Sequence, residues 1–441
     1  WEHKTMLSAS DGSNSDNFGR AVSVSGTYIV VGAQGAGAGG RIFSGAAYAF
    51  ERNASTGVWG QTTKMVVADG LTGDYFGFSV SVSGTYTVIG ASGKTQLGSM
   101  LSGRAYVFER NSGTGVWGQA SSLFPSDLPT GARFGYSVCI SGTYAIVGAM
   151  NKSGGGGAYM FERNSTSSTW EQKAILACSD STVASFGIAV SISGSYAVVG
   201  ANTKSVSSVS SAGGAYVLER ISGTWTQTAT LDNPDPVASD MFGQAVNVYG
   251  VYAVIGCSLK DPFKLGGGAA YVFERDAGTG AWVQNTKLTA ADGLPLDFFG
   301  YSASVSGTYA VVGAIGRYLL GQSGSGAVYA FERNAGTSVW EQKAIMFPSD
   351  LPTAAAFGYS VSVSGTYIIA GASTKSGGGG AYIFERNAST GAWEQKCILT
   401  CSDSTSAAFG VSVSIDGSYA VVGATGKTVN SLSAAGSAYV F

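Results

Sequence analysis

One dipeptide, Phe-Gly, returns eight times in the 441 residues, and 52 to 58 residues separate each copy from the next. The copies are Phe18-Gly19, Phe76-Gly77, Phe134-Gly135, Phe186-Gly187, Phe242-Gly243, Phe299-Gly300, Phe357-Gly358 and Phe409-Gly410. Each is followed by similar segments in the same order: a Ser/Val-rich run, a Gly-x-Tyr turn, a segment such as Val-Gly-Ala, a variable Gly/Ser-rich stretch and a segment such as Ala-Tyr-Val-Phe. A Trp comes next in the first seven repeats, and the eighth Trp is Trp1. A period of this length indicates that each repeat is one supersecondary unit, which buries its apolar faces against its neighbours.

The second repeat shows what this unit is. Residues 79–83 alternate polar and apolar side chains, which is the period of a strand. The Ser-Gly pair that ends this run is a hairpin signal. Residues 86–91 and 105–110 are rich in β-branched and aromatic residues, and a fourth segment begins at Trp117. No segment has a helical period, so each repeat is predicted to be a meander of four strands, A to D.

A four-stranded sheet cannot bury both faces alone, whereas sheets stacked radially around an axis can. We therefore predict an all-β fold in which residues 1–441 form one domain, an eight-bladed β-propeller. Trp1 resembles the start of a strand D, and the chain reaches the end of a strand C at Phe441. We expect residues 1–7 to supply the fourth strand of the last blade and so to close the ring.

A longer duplication overlies the eight repeats. Residues 123–130, Leu-Phe-Pro-Ser-Asp-Leu-Pro-Thr, return almost unchanged at 346–353. The two halves are therefore predicted to be copies of one four-repeat block, covering about 1–224 and 225–441.

These motifs resemble the FG-GAP repeats of integrin α-chain propellers and of their bacterial and protist relatives. The resemblance rests on Phe-Gly-x-Ser-Val at 134–138, Val-Gly-Ala at 147–149 and Gly-Ala-Tyr-x-Phe at 157–161. It implies a secreted or cell-surface propeller that acts in adhesion or ligand binding. Integrin propellers have seven blades, and their Asp-rich calcium loops lie between strands A and B. Here that turn is Ser-Gly-Thr-Tyr at 141–144, so calcium binding is not implied.

Composition argues against several classes of function. Charged residues make up 12% of the chain, about half of the usual share of roughly 25%. The net charge of −2 gives no reason to expect a nucleic acid partner. No apolar run reaches the roughly 20 residues of a membrane-spanning helix. The single histidine, His3, excludes a histidine metal cluster, and we predict no enzymatic activity, no catalytic residue and no required cofactor.

Acidic pairs five residues apart in the D–A loops are the alternative to that metal-free prediction. They are Asp11/Asp16, Asp69/Asp74, Asp235/Asp240 and Asp292/Asp297. Loop carboxylates can bind calcium, but more often they hydrogen-bond the backbone of their own turn. We predict the turn role, with calcium as the alternative.

Three further repeated features have structural and functional interpretations. Glu-Arg follows strand C in seven repeats, from Glu51-Arg52 to Glu385-Arg386, and is interpreted as a structural ion pair rather than a binding stripe. The eight Trp residues are interpreted as packing residues between blades rather than platforms for glycans. Four Asn-x-Ser/Thr sequons are candidate glycosylation sites, at Asn53, Asn151, Asn164 and Asn387.

The loops between strands B and C differ most among the repeats, for example 34–44, 202–212, 258–267 and 315–325. In an up-and-down blade these loops share one face with the D–A loops, and a diverse face on a uniform scaffold is typical of a binding surface. Basic residues occur in most of the B–C loops and are the candidate binding residues: Arg41, Lys94, Lys152, Lys204, Lys260, Lys264, Arg317, Lys375 and Lys427.

Three functions remain open at this stage: an adhesion module that contacts proteins at a cell surface or matrix, a structural subunit of an extracellular assembly, and a glycan-binding lectin. Each places a protein or a glycan, or another copy of the chain, on the B–C/D–A face.

Overall fold

The computed structural model describes residues 1–37, 40–95, 101–127, 130–178, 184–261, 267–318, 324–350, 353–401 and 407–441. In these residues the chain forms eight antiparallel sheets of four strands each. This confirms the predicted all-β, eight-bladed propeller. None of the described segments forms a helix long and apolar enough to span a membrane.

Every blade uses its strands in the order A, B, C, D from the axis outward. The A strands are β2 (Phe18–Ser25), β6 (Phe76–Ser83), β10 (Ser137–Ser141), β14 (Val190–Ser193), β18 (Val246–Tyr249), β22 (Phe299–Ser306), β26 (Val361–Ser364) and β30 (Phe409–Asp416). The B strands are β3 (Tyr28–Ala33), β7 (Tyr86–Ala91), β11 (Tyr144–Ala149), β15 (Tyr196–Ala201), β19 (Tyr252–Cys257), β23 (Tyr309–Ala314), β27 (Tyr367–Ala372) and β31 (Tyr419–Ala424).

The outer strands are equally regular. The C strands are β4 (Ala46–Arg52), β8 (Arg104–Arg110), β12 (Gly157–Arg163), β16 (Gly214–Ile221), β20 (Ala269–Arg275), β24 (Ala327–Arg333), β28 (Gly380–Arg386) and β32 (Ser437–Val440). The D strands are β5 (Trp59–Met65), β9 (Trp117–Leu123), β13 (Trp170–Leu176), β17 (Thr224–Asp232), β21 (Trp282–Leu288), β25 (Trp340–Met346), β29 (Trp393–Leu399) and β1 (Thr5–Leu7).

The ring closes through the first strand of the chain, as predicted. Strand β1 pairs antiparallel with β32, with Thr5 opposite Val440 and Leu7 opposite Ala438. The first and last blades also touch near the axis, where the Gly26 amide donates a hydrogen bond of 2.8 Å to the Asp416 carboxylate. The eighth blade is therefore assembled from both ends of the chain.

Apolar side chains pack between blades rather than within one sheet. The cluster between the last and first blades, for instance, joins Ile29 and Tyr48 of one to Val421 and Val440 of the other. At the outer edge, each Trp of a strand D meets the strand B Tyr of the preceding blade edge-on, as Trp117 meets Tyr28 with ring centroids 5.8 Å apart. This contact recurs in all eight blades, so the tryptophans are packing residues, as interpreted from the sequence.

Glycine in strand B lets the blades approach this closely. A Cβ at Gly90 would collide with the carbonyl oxygen of Gly135 in the next blade. The start of strand A is less regular than the sequence predicts. Pairing with strand B is interrupted between Phe18 and Ala21, because Gly19 has a left-handed φ of 91° and makes a bulge. The residue after each Phe-Gly therefore leaves the regular ladder.

Candidate functional site

The B–C and D–A loops form one face of the propeller, which we call the variable face; the A–B and C–D turns form the opposite, uniform face. Each B–C loop is hydrogen-bonded to the D–A loop that enters the next blade. Between the first two blades, the Tyr75 amide donates to the Phe43 carbonyl (3.0 Å) and the Phe76 amide to the Ser44 carbonyl (3.1 Å). Loops of neighbouring blades therefore form a continuous, backbone-tied surface around the mouth of the central channel.

The residue just before each Phe-Gly is held in a left-handed conformation in all eight blades. These residues are Asn17, Tyr75, Arg133, Ser185, Met241, Phe298, Ala356 and Ala408, with φ between 47° and 57°. Left-handed φ values are costly for residues other than glycine and persist only where the surroundings fix them. The identity of this residue varies strongly while its backbone does not, so the position displays a different side chain from each blade.

Buried ion pairs account for several of the acidic and basic residues singled out above. In the second blade the Lys94 ammonium donates to the Asp74 carboxylate (2.8 Å) and to the Asp69 carbonyl oxygen (2.6 Å). The side chains of Lys94 and Asp74 are only 3% and 2% exposed. Asp74 also accepts a hydrogen bond from the Leu71 amide of its own turn. The second Asp of each pair, like Asp74, thus has the predicted turn role, whereas the first, like Asp69, accepts hydrogen bonds from side chains. The cation beside Asp74 is a lysine.

The same arrangement recurs around the ring with different partners. The ion pairs are Lys260 with Asp235 and Asp240, Arg317 with Asp292 and Asp297, Lys152 with Asp127, Lys204 with Asp232, and Lys375 with Asp350. Lys427 is also buried, and Arg41 donates to the Gly70 carbonyl. Most of these side chains hold the loops together, because a long basic side chain reaches the acidic D–A loop that enters its own blade. Lys204 instead reaches Asp232 at the end of strand D, and Arg41 is exposed and reaches the loop that enters the next blade. Lys264 lies outside the described residues.

The first blade is the exception to this pattern. Ala36 stands where the second blade has Lys94, so no lysine or arginine comes from its B–C loop to Asp16. Asp16 is buried and accepts a hydrogen bond from the Ser13 amide (2.7 Å). Burial raises the pKa of Asp16 above its usual value. The Asp11 carboxylate accepts hydrogen bonds from the Lys64 ammonium of strand D and from the Tyr48 hydroxyl.

A concavity of about 350 Å³ opens on the variable face where the first three blades meet. Tyr75, Phe78, Leu101 and Arg133 are among the residues that line it. Phe78 follows the second Phe-Gly, and its ring lies 5.1 Å from that of Tyr136. Arg20 of the first blade also lies over Phe78, with its guanidinium carbon 5.2 Å from the ring centre.

Apolar side chains are exposed beside this concavity. Ile42 is 64% exposed, Leu71 48% and Leu101 41%. The Phe43 and Tyr75 rings pack on each other with centroids 6.0 Å apart. Contiguous exposed apolar residues of this kind mark interaction sites on soluble proteins, and here they surround a pocket of ligand-binding size.

The comparisons with known proteins rest on the same repeat that builds the face. The model of the FG-GAP repeat matches the chain eight times, at 1–50, 59–108, 117–161, 170–218, 225–273, 282–331, 340–384 and 393–441. The chain belongs to the FG-GAP repeat family. Among curated proteins, none is matched significantly by the sequence.

Solved structures similar to this FG-GAP propeller share its fold at low identity. Sqt1 of Saccharomyces cerevisiae is 11% identical with a TM-score of 0.57, and the match covers 100% of this chain and 98% of that one. A Bacteroides uniformis protein provisionally assigned as a 6-phosphogluconolactonase is 12% identical with a TM-score of 0.48, over 75% of this chain and 85% of that one. Propellers host many unrelated functions, so the likeness to Sqt1 shows the fold alone.

The uniform face of the FG-GAP propeller holds the repeated ion pairs. From the second to the seventh blade, the Arg at the end of strand C binds the Glu of the preceding blade and lies over that blade's strand B Tyr. Arg110, for instance, contacts Glu51 at 2.8 Å and covers Tyr28 at 5.4 Å. The sequon residues Asn53, Asn164 and Asn387 begin exposed C–D turns and accept hydrogen bonds from the turn amides. Asn151 is exposed in a B–C loop.

The histidine and cysteine side chains of the sequence, which can bind a metal or act as nucleophiles, are those of His3 and five cysteines. His3 packs against the Tyr439 and Phe441 rings at the ring closure. No three His, Cys, Asp or Glu side chains among the described residues are arranged to hold a metal ion. The five cysteines all lie among the described residues and form no disulfide there, and burial raises the pKa of Cys139 and Cys257.

Sequence reasoning did not single out Arg20, Tyr75, Phe78 or Arg133. The signal for them was present: they are the residues directly before and after Phe-Gly, the two positions that vary within an otherwise repeated segment. Their meeting at one concavity depends on the bulge and on contacts between blades, which the repeat pattern does not reveal.

Proposed function

We propose that this FG-GAP propeller is a non-enzymatic binding module, at a cell surface or in an extracellular matrix, that contacts other proteins through the variable face. The observation that carries the proposal is the exposed apolar surface around the concavity, formed by Ile42, Phe43, Leu71, Tyr75 and Leu101. Aromatic residues and arginine are enriched at the centres of protein interfaces. The resemblance to integrin propellers supports the extracellular setting.

The two faces differ in how much their side chains vary between blades, and a binding scaffold needs one constant face and one variable face. The uniform face repeats the same turns and ion pairs, each of which is explained by packing. The variable face keeps its backbone but changes its side chains from blade to blade. Changes in such loops cost the fold little, so the variable face can carry specificity without loss of stability.

Loop exchange tests this proposal. The B–C loops 34–44, 202–212 and 315–325 are replaced by the short loop of the third blade, residues 150–155, which places a lysine at the positions of Ala36, Lys204 and Arg317. A matched control adds charge to the C–D turns near Asn111 and Asn334. The immobilised proteins are exposed to extracellular extract, and the captured proteins are quantified by mass spectrometry.

We expect the loop exchange to remove the captured proteins while thermal unfolding stays close to that of the parent protein, and the C–D variants to capture as the parent does. The opposite pattern, with the C–D turns decisive, would refute the proposal. Filaments that form from the purified protein would instead support the assembly role, and arginine-independent binding on a glycan array would support the lectin role.

A further inference from the structure

We propose that the variable face carries one charged docking site per chain, centred on Phe78 between Arg20 and Arg133, and that it takes a protein segment presenting a carboxylate beside an apolar side chain. This rests on the proposed function, because it names the chemistry of the partner that the variable face would bind.

The first argument is charge. Most basic residues of this chain contact a carboxylate, either across neighbouring blades or within a loop pair. Among the described residues, Arg20, Arg41, Arg52 and Arg133 contact none. Arg41 donates instead to the Gly70 carbonyl and Arg52 lies over the Tyr419 ring, whereas Arg20 and Arg133 both lie at Phe78. Among the residues that the structure describes, none that lines the concavity bordered by Arg133 is acidic. Two guanidinium groups near one ring thus leave their charge unmatched within the described part of the chain.

The second argument is geometry. Arg20 is held over the Phe78 ring, and Arg133 and Phe78 line the same concavity. Both arginines are half-buried, so part of their hydration is already replaced by protein. A guanidinium binds a carboxylate through two parallel hydrogen bonds, and a partly desolvated site strengthens such a pair. The missing counter-charge is therefore most simply a carboxylate brought by a ligand.

The third argument is the apolar surroundings, which favour a protein over a carbohydrate. A sugar ring can stack on Tyr75 or Phe78, but it does not bury aliphatic side chains such as Ile42, Leu71 and Leu101. A protein segment with an apolar side chain next to its carboxylate would cover both kinds of surface. The volume of about 350 Å³ suits one or two side chains rather than a large ligand.

The internal duplication limits the site to one per chain. The corresponding position in the second half keeps its aromatic residues, since Phe298 corresponds to Tyr75 and Tyr301 to Phe78. Gln244 corresponds to Arg20, and Ala356 to Arg133. Thus the second half provides a natural aromatic site that lacks both cations.

Fluorescein-labelled peptides that alternate Asp with Leu provide the direct probe, with binding to the full chain measured by fluorescence anisotropy. Two control peptides replace Asp by Asn, or Leu by Ser. The loss variant Arg20→Gln/Arg133→Ala gives the first half the residues of the second. The gain variant Gln244→Arg/Ala356→Arg does the reverse, and its backbone is compatible because Ala356 has φ 49° and Arg133 has φ 53°.

We expect one Asp-Leu peptide per chain, about tenfold or greater weakening in the loss variant, a second bound peptide in the gain variant, and weaker binding of both control peptides. Binding should also weaken as salt is added. Circular dichroism and melting of the loss variant should match the parent protein, because neither arginine has an ion partner among the described residues to lose.

Several results would overturn the inference: no binding of the Asp-Leu peptide, equal binding of the Asn peptide, or no effect of the loss variant. Arginine-dependent binding of chondroitin sulfate without peptide binding would assign the site to an acidic glycan instead. Arginine-dependent dimerisation would assign it to a second copy. If the loop exchange abolishes capture while the loss variant captures normally, the docking chemistry is wrong but the proposed function stands.

Discussion

Replacement of Lys94 tests most directly whether the buried ion pairs stabilise the loops of the variable face. In Lys94→Met the buried Asp74 carboxylate loses its ion partner at 2.8 Å, whereas Asp69 keeps Arg104 at 2.8 Å. A carboxylate left buried without its partner costs about 3–5 kcal/mol. An unfolding entropy of about 2.1 cal/mol/K per residue, scaled to this length, gives about 0.9 kcal/mol/K, so the Tm should fall by roughly 4 °C.

Two further variants isolate the buried charge as the cause. Lys173→Met removes a lysine whose pair with Glu171 has both side chains more than a third exposed, and it should cost only about 0–1 kcal/mol. Lys94→Met/Asp74→Asn removes the uncompensated charge, while the amide oxygen can still accept from Leu71, and should recover roughly half of the loss. Differential scanning calorimetry and denaturant unfolding measure all three. If Lys94→Met is no more damaging than Lys173→Met, the buried pair does not stabilise the loops.

The remaining predictions concern the first blade, the contacts between blades and the ring closure. Ala36→Lys should raise stability at pH 7 by about 1 kcal/mol. Because the pKa of Asp16 is raised, the contribution of Asp16 to folding stability is largest below about pH 4 and is lost as the pH rises through that pKa. A lysine at position 36 would stabilise the charged Asp16 carboxylate instead, so the gain in stability should vanish at about pH 3. Ala36→Met, which adds no charge, should show no gain. Gly90→Ala should cost about 1–3 kcal/mol through collision with the next blade, while Gly118→Ala, which points into open space, should change the unfolding free energy by less than about 0.5 kcal/mol. Deletion of residues 1–7 should lower the Tm markedly, because it removes β1 from the last blade; unchanged melting would contradict closure by this strand.

The ring could be predicted from the sequence because the repeat determines it. Phe-Gly, the strand B glycine and the Trp each make the same contact in successive blades, so eight copies of the pattern predict eight equivalent interfaces. The ends of the chain supply complementary strands, and that predicts the closure. The bulge after Phe18 was not predicted, because the alternating pattern of strand A continues through it.

The candidate site was less accessible to sequence reasoning. Lys94 and Asp74 are 20 residues apart and meet only when the B–C loop folds back on the D–A loop of its own blade. The sequence thus predicted that the basic side chains of the B–C loops would contact a binding partner. The structure instead places most of these side chains inside the loops, where they form ion pairs. Arg20 and Arg133 were not predicted as binding residues, because they lie in or beside the repeated segment rather than in a variable loop. Only the three-dimensional structure shows that neither has an acidic partner among the described residues.

Amide hydrogen exchange with and without a bound partner tests the central claim, that binding uses the variable face. The partner is the protein captured by the parent propeller and lost on loop exchange, or the Asp-Leu peptide. The account predicts slower exchange in residues 40–45, 70–76 and 101–103 and no change in the C–D turns at 53–57 and 111–115. Protection confined to the C–D turns, with the B–C and D–A loops exchanging as in the free protein, would contradict it.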